Sequence, residues 1–335
     1  MTLTVQEKVR LSDWVSFKTG GEARYFIEVT TVKALQEAVA FSREKQLPFY
    51  ILGSGTNLLV SDAGYEGVII KMNILGRTYV ASTTEVTLEA GAGESFDAIV
   101  KETTQKSLWG LENLSHIPGT VGATPVQNVG AYGVEVADLI LHVTVYDVVA
   151  KKIIIFSNSA CLFSYRHSVF KENKNIIIVS VTFVLSLLPT PKLSYADLAS
   201  LPIRKQTPQG IRNAIITIRQ AKFPDWNVVG TAGSFFKNPL ITREHAKTLL
   251  AKYPDIPTYS SPDHMVKVSL GYILDKLCGL KGFSIGPVGL YEKQALVLVA
   301  TQLATTDDIN NFKKIITEKV FLKTFIHIEQ EVTEI

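Results

Sequence analysis

The sequence predicts an α+β fold laid out in three segments, and three observations carry that reading. Its 335 residues exceed what one ordinary core serves, so two or three domains are the starting point. Helix-spaced stretches come in blocks separated by a run of β-branched strands. Between them, the stretch Gly110 to Val136, GLENLSHIPGTVGATPVQNVGAYGVEV, is apolar and glycine-dense but is interrupted by Pro118 and Pro125. It reads as neither helix nor strand, and glycines at these intervals let a backbone lie close against a ligand.

Residues 31 to 47 place Val32, Leu35, Val39 and Leu47 near helical spacing, and FYILGSG then reads as a buried strand entering a glycine turn. GVIIKM at 67 to 72 adds a strand, which completes a small first α+β segment, residues 1–73. In a second segment, 74–224, the pattern begins at VTLEAGAG. Ser95 can cap a helix running to about Ser107, and the glycine loop follows. LILHVTVYD, KKIIIF and NIIIVSVTFVL are rich in β-branched residues and separated by short polar turns, as in an antiparallel sheet. TPQGIRNAIITIRQAKF restores helical spacing until Pro224 breaks it. The third segment, 225–325, holds helices near 242–253 and 267–279, the strand ALVLVAT, and a long helix with Ile309, Phe312, Ile315, Ile316 and Val320 on one face. The final IHIEQEV reads as a strand that can leave this segment for an earlier sheet.

Composition narrows the function. A net charge of +3, from 34 basic and 31 acidic residues with no basic block, offers no stripe for a nucleic-acid backbone. Cys161 and Cys278 have no metal-ligand spacing and suit a reducing cytoplasm. The six histidines never fall into HxH or HExxH spacing, so no zinc site is expected. The N-terminus carries charges where a signal peptide has its apolar core, and the longest apolar run, Ile176 to Leu188, is too short and too interrupted for a membrane helix. A soluble cytoplasmic protein is the expectation, with monomer as the default.

Gly53-Ser54-Gly55 follows a strand, but Leu58 stands where a dinucleotide fingerprint needs its third glycine. What remains is an anion nest with Ser54, Thr56 and Asn57 as side-chain donors, or an ordinary tight turn. Three polar residues lie in apolar settings: Arg166 in LFSYRHSVF, Ser234 in GTAGSFFKNP and Glu331 in HIEQEV. Each alone reads equally as a satisfied core residue, an ion-pair member or a catalytic group. A cluster of the three would favour catalysis.

Taken in order, LGSGTNLLVSD, the glycine loop, SYRHSVF, AGSFFKNP and the terminal EQEV resemble the bacterial UDP-N-acetylenolpyruvoylglucosamine reductases, from Trp14 to Val332. The resemblance implies a two-domain FAD-binding superfold of the vanillyl-alcohol-oxidase/PCMH type plus a C-terminal α+β substrate-binding domain. It implies that Gly53, Ser54, Gly55, Thr56 and Asn57 meet the FAD pyrophosphate. Pro118, Gly119, Val121, Gly122, Gln127, Asn128, Gly130, Ala131 and Tyr132 are then implied to line the isoalloxazine and ribityl chain. The implied reaction is reduction of an enolpyruvyl ether of UDP-N-acetylglucosamine to UDP-N-acetylmuramate, with NADPH as electron source and no metal.

The chemistry explains the residue types. Hydride added to a double bond conjugated with a carboxylate leaves enolate-like charge that must be stabilised and then protonated. The resemblance assigns Arg166 to the substrate carboxylate and Ser234 to protonation. It assigns Glu331 to the other side of that group, protonated or acting through a hydrogen bond, because an ionised carboxylate would oppose the new charge. Lys222, Asn238 and Gln294 match positions binding the diphosphate and sugar, Tyr165 sits beside Arg166, and Tyr195 matches a loop tyrosine that folds over the substrate. The chain departs from the family pattern at Ala123, Thr231 and SIGPVGLYEKQ, none of which removes a proposed catalytic group. Two other readings remain: an oxidase of the same superfold, and a flavin- or nucleotide-sugar-binding protein without turnover.

Overall fold

A computed structural model describes residues 3–260, 264–301 and 303–335. The chain forms two compact units. The first gathers residues up to Val9, Ala23–Ser54 and Glu66–Gln220; the second gathers Arg10–Glu22, Gly55–Tyr65 and Ala221–Ile335.

The first unit holds two sheets. Strands β1 (Val5–Arg10), β2 (Glu22–Val29), β3 (Phe49–Leu52) and β4 (Tyr65–Met72) pair in the order β1-β2-β4-β3. The β3–β4 pair is parallel, with Leu52 opposite Lys71. Helix α1 (Val32–Glu44) connects β2 to β3, and the Thr31 side chain caps it by accepting the Ala34 N–H. The second sheet is antiparallel, with β5 (Arg77–Ala81), β6 (Glu85–Gly91), β7 (Ile140–Asp147), β8 (Lys152–Ser157) and β9 (Ile176–Ser186) in the order β8-β7-β9-β6-β5. The apolar run from Ile176 is therefore its central strand. Both sheets share one core that includes Ile27, Leu35, Val68, Leu88, Phe96 and Phe183.

Helix α2 (Phe96–Gln105) starts where Ser95 accepts the Ala98 N–H, as the capping signal predicts. Helix α3 (Pro208–Lys222) buries Ile211 and Ile215 with Trp109, Tyr132 and Leu198 in a small second cluster. That cluster sets α3 beside the glycine loop.

In the second unit, strands β10 (Val288–Tyr291) and β11 (Gln294–Ala300) form an antiparallel hairpin. They pack with helices α4 (Arg243–Lys252) and α5 (Thr306–Thr324) around Phe17, Phe235, Phe236, Leu270, Leu298, Phe312 and Ile316. The helix expected over 267–279 begins later, at Leu270, and widens into a π-helical stretch, Ile273–Leu277. The wide turn closes where the Cys278 N–H reaches the Ile273 carbonyl at 2.9 Å.

The ending differs from its expected strand. IHIEQEV forms only an isolated bridge, Gln330 to Phe236, and regular pairing waits until Thr333–Glu334 joins Leu58–Leu59 in parallel. The reason is its neighbour: residues 234–237 lie next to it for too short a stretch to build a ladder, so period-2 spacing finds few partners.

Candidate active site

Gly53, which opens the glycine turn, meets the glycine loop in the first unit. A Cβ on Gly53 would lie 2.8 Å from Thr120 Oγ1, so this approach needs a glycine. Lys71 Nζ donates to the Gly53 carbonyl at 2.7 Å, and burial pulls its ammonium below the ordinary lysine value despite the opposing field of Glu28. Gly55 has φ +66°, and a Cβ there would strike the Trp14 carbonyl oxygen at 2.1 Å. The N–H groups of Ser54 and Thr56 find no backbone acceptor among the described residues. Donors left open on a turn of this curvature fit an anionic oxygen such as that of a pyrophosphate.

Several implied cofactor residues act through the backbone. Val121 is fully buried and its N–H donates to the Glu94 carbonyl at 2.8 Å. Asn128, buried with φ +45°, gives Nδ2 to Glu135 and to the Ser164 carbonyl and accepts the Ala137 N–H, so its side chain braces the loop. Gly119 takes φ +135° and its carbonyl accepts the Phe96 N–H, joining the loop to the start of α2. Gly122 lies against Ala92. Gly130 and Ala131 pair with Glu135 and Val134 in a short hairpin, while Pro118 and Gln127 are half-buried.

Arg166 projects from a tight turn in which Ser164 and His167 exchange backbone hydrogen bonds at 3.1 Å. Its φ of +55° is unusual for arginine. Nη2 donates to the Gly130 carbonyl at 3.1 Å, and the guanidinium carbon lies 5.2 Å from the Tyr165 ring centroid. The structure thus brings the expected catalytic arginine onto the glycine loop. Tyr195, 41 % exposed, meets the buried Tyr132 ring edge to face at 5.1 Å.

In the second unit, Ser234 bridges to Val297 of β11, and the next residue, Phe235, gives its carbonyl to the Glu331 N–H at 2.8 Å. Ser234 and Glu331 therefore lie on adjoining extended segments. Asn57 Nδ2 donates to the Glu331 carbonyl at 3.4 Å, and the Asn57 carbonyl takes the Thr333 N–H at 3.1 Å, which anchors the chain end carrying Glu331. Asn238 and Gln294 converge on the helical turn Leu270–Tyr272. Asn238 Oδ1 accepts the Leu270 N–H at 3.0 Å, and a Cβ on Gly271 would lie 3.4 Å from Gln294 Oε1. Lys222 stands half-buried at the end of α3.

Sequence reasoning missed a set of supporting polar residues. Glu112, buried, accepts the Gly110 N–H at 2.6 Å, and burial raises its carboxyl above the usual range against the pull of that bond. Asp97 is pushed up by burial but ends below its ordinary value, because the paired Arg212 guanidinium and the His116 N–H bond its carboxylate. Asn113 is fully buried and ties two loops together. Polar residues inside an apolar loop were the available signal for Glu112 and Asn113; nothing local marks Asp97.

Known families and relatives match the chain over both regions. The FAD binding domain family matches residues 23–152, which enclose both the turn and the loop. The family described as UDP-N-acetylenolpyruvoylglucosamine reductase, C-terminal domain, matches residues 224–335, which carry Ser234 and Glu331. The UDP-N-acetylenolpyruvoylglucosamine reductase of Buchnera aphidicola subsp. Baizongia pistaciae is 39 % identical, over 96 % of this chain and 97 % of its own. That of Bdellovibrio bacteriovorus is also 39 % identical, over 98 % and 99 %. The crystal structure of the Thermus caldophilus reductase shares the fold, with a TM-score of 0.71 at 23 % identity over 99 % of each chain. With relatives aligned over nearly its full length and both of its family regions in place, the chain belongs to the UDP-N-acetylenolpyruvoylglucosamine reductase family.

Proposed function

We propose that the chain reduces the enolpyruvyl double bond of UDP-N-acetylenolpyruvoylglucosamine to the lactyl ether of UDP-N-acetylmuramate, a peptidoglycan precursor, using FAD and NADPH. The observation that carries this reading is the Arg166 guanidinium seated on the Gly130 carbonyl within the glycine loop. It sets a fixed positive charge beside the segment proposed to hold the cofactor.

The turn from Gly53 to Asn57 holds the FAD pyrophosphate through its N–H groups, and the loop from Pro118 to Tyr132 receives the ring and ribityl chain. Bound FAD supplies hydride transfer between NADPH and the substrate. Arg166 pairs with the substrate carboxylate, where its charge gains most as enolate character develops. Ser234 gives a proton to the carbon next to that carboxylate. A serine hydroxyl is a weak acid, but a carbanionic centre is basic enough to draw its proton when the two are held in line. Glu331, whose N–H is held by the Phe235 carbonyl next to Ser234, acts on the same carboxylate side of the substrate, protonated or through a hydrogen bond. Lys222, Asn238 and Gln294 bind the diphosphate and sugar, Tyr165 steadies Arg166, and Tyr195 covers the substrate and excludes water. On this reading the chain works as a cytoplasmic monomer, with flavin-binding segments 1–73 and 74–224 and a substrate-binding segment 225–325.

An anaerobic visible spectrum tests it. The flavin band is expected to bleach with NADPH and to return when the enolpyruvyl nucleotide sugar is added. No flavin band after FAD is supplied, or no return with the sugar, refutes the assignment, and a return only on admitting air identifies an oxidase.

A further inference from the structure

Helix α3 touches the glycine loop through one residue that the chemistry above does not use. Arg219, nearly one turn before Lys222, donates from Nε to the His116 carbonyl at 3.0 Å, and its side chain is also hydrogen-bonded to Tyr132. These two partners stand near opposite ends of the loop, and both take left-handed backbone, with φ of +62° at His116 and +50° at Tyr132. Non-glycine residues hold that conformation when their surroundings over-determine it. Tyr132 is also a junction. Its ring meets Tyr195 edge to face at 5.1 Å, and its carbonyl accepts from Asn113 Nδ2, which also donates to the Lys192 carbonyl, both at 2.8 Å.

We propose that Arg219 is a positioning residue that clamps both ends of the flavin-binding loop and, through Tyr132, seats Tyr195 for closure over the substrate. The inference rests on the reading above, in which this loop holds FAD and Tyr195 meets the nucleotide sugar. A planar guanidinium reaches two acceptors in different directions at once. A lysine ammonium at that distance from the helix serves one of them. Without the clamp both left-handed residues are free to relax, and the loop spends part of its time in shapes that do not fit the cofactor.

The test uses the full chain with Arg219→Met, Arg219→Lys and Tyr132→Phe. Apoprotein is titrated with FAD by flavin fluorescence. On reconstituted protein, the rate of bleaching by NADPH and the KM for the nucleotide sugar are then measured separately. Arg219→Met is expected to weaken FAD binding on the order of 10- to 100-fold, the loss typical of removing one or two charge-assisted hydrogen bonds. It should raise the sugar KM about 10-fold, with bleaching at saturating FAD changed less than about 3-fold. Arg219→Lys should recover part of both losses. Tyr132→Phe, which keeps the ring and fold, should weaken both parameters, and adding it to Arg219→Met should cost nothing more because both remove the same tie. Additive losses overturn the proposal, as does unchanged FAD affinity in Arg219→Met accompanied by a lower urea midpoint, since the arginine then only supports the helix. If wild-type apoprotein takes up no FAD, the functional reading fails and the clamp fails with it; if wild type and variants bind FAD equally, the clamp alone fails.

Discussion

Replacing Gly122 by Ala tests whether the glycine loop depends on close backbone approach. The Gly122 N–H donates to the Ala92 carbonyl at 2.9 Å, and the neighbouring Val121 N–H is fixed on Glu94 at 2.8 Å. A Cβ on Gly122 would lie 2.6 Å from the Ala92 Cβ and 3.1 Å from its Cα and carbonyl oxygen. Carbon atoms rest comfortably at about 3.5–4.0 Å, so the loop and the end of β6 must separate by roughly 1 Å. Both hydrogen bonds oppose that movement. Overpacking of this kind costs about 1–3 kcal/mol. For a domain of this size each kcal/mol lowers Tm by roughly 2–4 °C, so a fall of several degrees is expected in the apoprotein by circular dichroism. FAD affinity should fall with it, because the displaced loop is the proposed ring-binding segment. Ala92→Gly removes the closest atom, so the double variant should be more stable than Gly122→Ala alone. Additive losses in the pair, or an unchanged Tm and FAD affinity in Gly122→Ala, would refute the packing argument.

Ser234→Ala should leave flavin bleaching by NADPH intact while slowing reoxidation by the enolpyruvyl sugar by several orders of magnitude; equal reoxidation rates in stopped flow would remove Ser234 from proton transfer. Arg166→Ala should lower kcat on the order of 100-fold, as for loss of one oxyanion donor. A rise in KM at constant kcat would make Arg166 a ground-state binder instead. For Glu112, burial raises the folded-state pKa above the unfolded carboxylate value of about 4.3, so its stabilising contribution is complete below that value and is lost as pH rises through the folded pKa. Glu112→Gln keeps an acceptor for the Gly110 N–H and stays neutral, so its advantage in urea midpoint over wild type should grow from pH 5 to pH 8. An advantage that grows towards acid pH would show the carboxyl to be depressed instead.

Much of the fold was legible because local chemistry and tertiary outcome agree. Ser95 caps α2, the β-branched runs become adjacent antiparallel strands, and residues 176–186 of the apolar run form the central strand, with the face of Ile177, Val179, Val181, Phe183 and Leu185 buried. The terminal strand failed for the opposite reason: its alternation was right, but its neighbour around Phe236 offers a single bridge. In the site, the glycine loop could be recognised by composition alone. Asn128 could be named as part of it, but not that its side chain points inward to Glu135 and Ser164.

By itself the sequence determined the α+β class, the position of the glycine loop and, through five ordered motifs, the family. Those are properties of residue type and local spacing. Only the tertiary structure decided that Gly53 faces Thr120, that Arg166 rests on Gly130, and that Arg219 joins His116 to Tyr132. Each of those contacts joins residues distant in the chain, and their geometry is set by how sheets and helices pack around a common core, which no local pattern of residues encodes.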